Sequence, residues 1–237
     1  MLTFQNLTVR RGGQTVLDGV TGTVPAGRAL IVTGPNGAGK STLLRTLAGF
    51  LPPSGGSATL ASGQGADPVR LADRGAWQER VAYAGHLDAV KPALGVAQNL
   101  LPWAALAGWE PDAAAEAVDA ALARFGLQAM AARPAGECSA GQRRRLGLAR
   151  LSLARRPVWL MDEPTASLDT ASAATVAALV AEHLKGGGIA VIATHLELGL
   201  ADPVRLPLDQ TRAARLAPPA AGAAAEPADD PFLAGDW

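Results

Sequence analysis

The chain has 237 residues, 49% of them apolar, and 21 basic side chains balance 21 acidic ones. That supplies an ample core, so disorder is not the default, and zero formal charge marks no polyanion as the main partner. The single cysteine, Cys138, excludes an internal disulfide and any cysteine-based metal cluster.

The N-terminus, MLTFQNLTVR, lacks the charged-then-apolar shape of a signal peptide, and no apolar run approaches the roughly 18 residues of a membrane span. A cytoplasmic chain is expected, one that can still sit against a membrane through a partner. Leu2-Thr3-Phe4 and Leu7-Thr8-Val9 read as two short strands, Gly12-Gly13 as a turn and Val16–Val24 as further strand. Pro52 to Gly56 reads as a turn into the strand-like Ser57–Leu60, which together predict a small antiparallel sheet.

Between these lies the apolar run Ala29–Val32, then GPNGAGKST, then Leu43, Leu44 and Leu47 on one helical face. The nonapeptide Gly34, Pro35, Asn36, Gly37, Ala38, Gly39, Lys40, Ser41 and Thr42 fits G-x-x-x-x-G-K-[ST] without substitution, in the strand–loop–helix setting the motif requires. Glycines at 34, 37 and 39 let the backbone curl so that N–H groups face a polyphosphate, and the following helix adds its positive end. Lys40 offers a point charge for the β- and γ-phosphates and Ser41 a hydroxyl for Mg²⁺. This pattern predicts ATP or GTP binding.

Residues 96–135 favour helix, with Val118, Leu122 and Phe125 at core-facing spacing and Pro102, Pro111 and Pro134 dividing the region into short helices. Cys138-Ser139-Ala140-Gly141-Gln142 then precedes a basic helical segment, Arg143 to Arg156, with Ser139 near its N-cap. Val158–Met161 is an apolar run ending at Asp162 and Glu163, and Ile189–Ala193 another ending at Thr194 and His195. Continuous apolar runs suit parallel strands buried on both faces, with ligands at their C-terminal ends. Beside a nucleotide, Asp162 can hold Mg²⁺ through water while Glu163 orients or deprotonates the attacking water. Residues 217–237, mostly Ala, Pro and Gly, read as a flexible tail.

The phosphate loop, S-x-G-Q before an arginine-rich helix, Asp-Glu-Pro after an apolar strand, Ser167-Leu168-Asp169 and Thr194-His195 occur in that order. That series resembles the ATP-binding subunits of ABC transporters. The resemblance implies an α/β P-loop NTPase fold of the ABC ATPase type, with a RecA-like parallel-sheet core, an antiparallel β part and an inserted helical subdomain. It implies one nucleotide-binding domain over 1–216, the core and β part at about 1–85 and 145–216 and the helical subdomain at about 86–144. It also implies that Ser139, Ala140, Gly141 and Gln142 contact the ATP of a second copy, that Ser167, Leu168 and Asp169 cross the dimer interface, and that His195 contacts the γ-phosphate and aligns water with Glu163. Two copies would sandwich two ATP molecules and pull on membrane subunits.

Three positions depart from the common ABC pattern. Where an aromatic residue stacks on adenine, this chain has Arg11, so either its guanidinium covers the base or nothing does. Where glutamine contacts Mg²⁺ and the membrane partner stands His86, a poor ligand for a hard cation, acting through water or mainly as a coupling contact. Cys138 takes the apolar slot of leucine. These departures, with Gly85-His86-Leu87, Lys91, Leu94, Asn99-Leu100, CSAGQRRRLGLARL, PVWLMDEP, GGGIAVIATH and LDQTRAA, are similar to the cytochrome c maturation ATPases, CcmA, from about Leu2 to Ala214.

That similarity implies ATP hydrolysis driving haem export, or release of a haem-loaded chaperone, at the cytoplasmic face of the bacterial inner membrane. The implied partners are permease-like CcmB, haem-handling CcmC and the haem chaperone CcmE. No direct haem site is expected, because His86, His183 and His195 are the only histidines, and no nucleic-acid partner is expected. The competing readings are an ABC ATPase with another cargo and a soluble ABC protein of DNA repair or translation.

Overall fold

The computed structural model describes residues 1–61 and 67–208; the proposed tail at 217–237 and most of LDQTRAA lie outside the described residues. Strands β1 (Leu2–Arg11) and β2 (Gln14–Val24) pair antiparallel, and β3 (Ala29–Thr33) leads through the phosphate loop into helix α1 (Lys40–Leu47). Strands β4 (Gly55–Leu60) and β5 (Val69–Arg70) follow, then α2 (Arg74–Gln78) and β6 (Val81–Ala84). A helical stretch comprises α3 (Val96–Leu106), α4 (Pro111–Arg124) and α5 (Ala140–Leu153). The chain then runs β7 (Val158–Asp162), α6 (Thr170–Lys185), β8 (Ile189–Ala193) and β9 (Val204–Pro207).

Two sheets form, a four-stranded antiparallel sheet in the order β2-β1-β4-β5 and a five-stranded parallel sheet in the order β6-β7-β8-β3-β9. The runs at 29–32, 158–161 and 189–193 are parallel strands, and their alternation shows why they carry apolar residues throughout. Ala29, Ile31, Trp159, Met161, Ala190 and Ile192 point into one core with α3–α6. Leu30, Val32, Val158, Leu160, Ile189 and Val191 point into a second core, shared with α1 and the antiparallel sheet. With successive residues facing opposite sides, both faces must be apolar when both are covered. Among the described residues no helix is long and apolar enough to cross a membrane.

Some local expectations need correction. The two short strands read at 2–4 and 7–9 are one strand, bent at Asn6, whose φ of 50° accompanies a register shift between Phe4 and Leu7. Pro102 does not end a helix but lies inside α3. It and Gln98, the residue whose carbonyl would have received its missing N–H, share an exposed face, where water can take that bond. The edge strand β9 alternates half-buried with exposed residues, so it carried no apolar run to announce it. Trp77 of α2 is fully buried and its Nε1 donates to Leu47 O at 2.6 Å, fastening the segment before β6 to the end of α1.

Candidate nucleotide site

The phosphate loop occupies the turn between β3 and α1. Its glycines 34, 37 and 39 have φ of 143°, 82° and 96°, all in the region side chains avoid. Gly34 is tighter than Gly39: a Cβ there would stand 2.3 Å from Leu208 O, against 2.7 Å from the Leu17 side chain at Gly39. Helix α1 starts at Lys40 with no side-chain cap, so its first-turn N–H groups are left for an anion. Ala38, Lys40 and Thr42 are buried, whereas Pro35, Asn36 and Gly37 are exposed. Ser41, half-buried, heads the helix.

Lys40 Nζ donates to Gly34 O at 2.7 Å and Pro35 O at 3.2 Å, and stands 3.0 Å from His195 Nε2. An ammonium can only donate, so Nε2 accepts. Glu163 Oε1 lies 3.7 Å from the same imidazole nitrogen. Three chain segments, the loop after β3, the end of β7 and the end of β8, thus bring Lys40, Glu163 and His195 together at the C-terminal edge of the parallel sheet.

Asp162 is 2% exposed, and its Oδ2 has no hydrogen-bond partner among the described residues. A buried carboxylate oxygen left unpaired is costly unless something else satisfies it. Glu163, one residue on, has φ of 45°, its N–H donates to Ala193 O at 2.9 Å, and its side chain is about one third exposed. Helix α1 packs against β7, which places the Ser41 end of the helix and the carboxylate end of the strand at the same sheet edge.

Ser139 is the N-cap of α5: its Oγ accepts from Gln142 N at 3.2 Å and Gln142 Oε1 accepts from Ser139 N at 2.7 Å. These two residues bond to one another rather than to the phosphate loop of their own chain. Ala140 and Gly141 form the first turn, and a Cβ on Gly141 would lie 4.0 Å from Ser167 O. Ser167 has φ of 63°, Leu168 packs on the helical core, and Asp169 caps α6 by accepting from Ser172 N at 2.7 Å. Hydrogen bonds from Ser172 hold the Asp169 carboxyl below its ordinary pKa.

Arg11 closes the β1–β2 hairpin opposite Gln14 and is half-buried. The hairpin reaches the phosphate loop through Val16 and Leu17, which stand against Gly39. His86 follows β6 with an exposed side chain beside Leu87, which is also exposed. Cys138 is buried in the helical core, as an apolar slot requires.

Sequence reading singled out no member of the triplet Arg143-Arg144-Arg145. Arg143 and Arg145 turn to their own neighbourhood, donating to Cys138 O and Phe125 O. Arg144 alone is buried, and it donates to Gly85 O, His86 O, Asp88 Oδ1, Asp162 O and Glu163 O. Three like residues in a row give no sign of which faces inward; only the helix phase does. Arg150, two turns further along α5, is held down to about 10 by burial and then by Arg144, and its guanidinium lies 4.8 Å over Trp103.

The ABC transporter family model matches residues 17–166. The cytochrome c biogenesis ATP-binding export protein CcmA of Rhodobacter capsulatus is 46% identical over 222 residues, 94% of this chain and 92% of that one. Its counterpart in Cereibacter sphaeroides is 46% identical over 231 residues, 98% and 97% of the two chains. Among solved structures, a putative ABC transporter ATP-binding protein from Pyrococcus furiosus superposes with a TM-score of 0.73 at 27% identity, covering 87% of this chain and 96% of that one. An ATP-binding subunit of an ABC transporter superposes at 0.72 with 25% identity, over 83% and 80%. Fold, motif order and relatives agree, and the chain belongs to the ABC transporter ATP-binding family as an ATP-hydrolysing subunit of the CcmA type.

Proposed function

We propose that this chain powers the maturation of c-type cytochromes from the cytoplasmic face of the inner membrane, as the ATPase of a complex with CcmB, CcmC and the haem chaperone CcmE. The observation that carries the catalytic part is the convergence of Lys40, Glu163 and His195 from three separate loops. In this reading residues 1–216 form one nucleotide-binding unit, with the helical segment at about 86–144 facing the membrane subunits. Gly34–Thr42 wrap the triphosphate, and Lys40 leaves its loop carbonyls to meet the β- and γ-phosphates. Arg11 lies at the adenine end.

Glu163 takes the proton of the attacking water, and His195 holds the γ-phosphate and steadies that water. Ser139, Ala140, Gly141 and Gln142 of a second copy close the site, the N-terminal end of α5 facing the γ-phosphate, while Ser167, Leu168 and Asp169 line the dimer seam. Mg²⁺, when bound, neutralises phosphate charge; Ser41 Oγ and the unpaired Oδ2 of Asp162 are the hard oxygen donors that fit it. His86 serves as the coupling contact, since imidazole suits that cation poorly.

The test is affinity capture of tagged Glu163→Gln from its own detergent-solubilised membranes with ATP and Mg²⁺, followed by mass spectrometry and a visible spectrum. Recovery of cytochrome-maturation membrane proteins is the expected result. A different permease would keep the transporter ATPase and discard haem.

A further inference from the structure

We propose that Arg144 is a positioning residue for hydrolysis, one guanidinium that clips the loop carrying Glu163 to the loop carrying His86. Its Nη2 donates to Glu163 O at 2.7 Å and Asp162 O at 3.3 Å. Its Nη1 donates to Gly85 O at 2.9 Å, Asp88 Oδ1 at 3.2 Å and His86 O at 3.4 Å. The side chain is 9% exposed. Burying a guanidinium is unfavourable unless its donors are met, and here five oxygens from two loops meet them.

The geometry bears on Glu163 directly. A glutamate at φ of 45° is held in a sparsely populated conformation and needs its surroundings to define it. Its N–H is anchored on Ala193 O at the end of β8, and its C=O on Arg144. With both sides of the residue pinned, the direction in which its side chain leaves the backbone is set. The other half of the fork fixes the 85–88 loop, and α5 itself makes room for it. A Cβ on Gly147, one turn beyond Arg144 on the same helix face, would stand 2.5 Å from Asp88 O. Lysine cannot substitute, because a single ammonium cannot span both loops as a planar fork does. A shift of the 85–88 loop therefore moves the guanidinium, and with it the backbone of Glu163.

This inference rests on Glu163 as the group that activates water, and the experiment separates the two. Steady-state ATPase and binding of a fluorescent ATP analogue are measured for the full chain, Arg144→Lys, Gly147→Ala and, in parallel, Glu163→Gln. Misplacing a catalytic group by about 1 Å costs up to roughly 100-fold in rate, so kcat in Arg144→Lys is expected to fall at least about 10-fold. KM and analogue affinity should stay within about twofold, the split expected when only the reacting geometry is disturbed.

Gly147→Ala pushes the same loop from the other side, gains helix propensity and should reproduce the split. If Arg144→Lys does not fold, Gly147→Ala decides alone. A kcat within about twofold of the parent, or affinity falling in step with kcat, overturns the proposal. Normal turnover in Glu163→Gln would instead remove the reading beneath it, whereas an inactive Glu163→Gln beside a normal Arg144→Lys sinks the clip alone.

Discussion

Lys40 Nζ stands 3.0 Å from His195 Nε2, although 155 residues of sequence separate them. The lysine is donor and the imidazole acceptor, so the contact needs a neutral histidine and ties the phosphate loop to the end of β8. A triphosphate competing for Lys40 would draw it from the carbonyls of Gly34 and Pro35 and release Nε2.

His195→Ala tests the role proposed for that imidazole. Turnover should fall about 100-fold or more, in the range lost when one contact to the developing transition-state charge is removed. Binding of a fluorescent ATP analogue should change by only a few-fold, because Lys40 and the loop remain. Turnover within about threefold of the parent would contradict the assignment.

Gly34→Ala probes the loop backbone. At φ of 143°, with Leu208 O 2.3 Å from any Cβ, alanine must shift either the loop or the segment after β9. Strain of this kind costs about 1–3 kcal/mol, read as a lower midpoint in thermal melts, and the displaced N–H groups should weaken ATP binding at least about tenfold. Unchanged melting and affinity would show that the loop absorbs the side chain.

His183 supplies a pH dependence of stability. It stacks on Trp159 with ring centroids 3.9 Å apart, and burial pushes its pKa below the ordinary 6.5, the carbonyls of Ile189 and Pro157 opposing this. The unfolded chain then binds the proton more readily than the folded one, so stability is full above about 6.5 and falls as pH drops through and below it. Melting curves between about pH 8 and pH 5 should show a shallower acid loss in His183→Phe, which keeps an aromatic face against Trp159 but cannot titrate. An identical acid slope in both proteins would place the titration elsewhere.

The chemistry-bearing segments were legible in sequence because each is local. Gly34 to Thr42 is a contiguous loop, Ser139 and Gln142 cap a helix three residues apart, and Asp162 and His195 end apolar runs. What depends on phase, edge or long-range approach was not. The helical face of Arg144 is set only when α5 docks against β6 and the ends of β7, and the Lys40–His195 contact exists only once β3 and β8 pair. Residue types and their spacing thus determined the phosphate loop, the buried parallel strands and the family. Tertiary packing alone decided which arginine is buried, where the first strand bends and which groups hold the backbone of Glu163, because those depend on contacts between segments far apart in the chain.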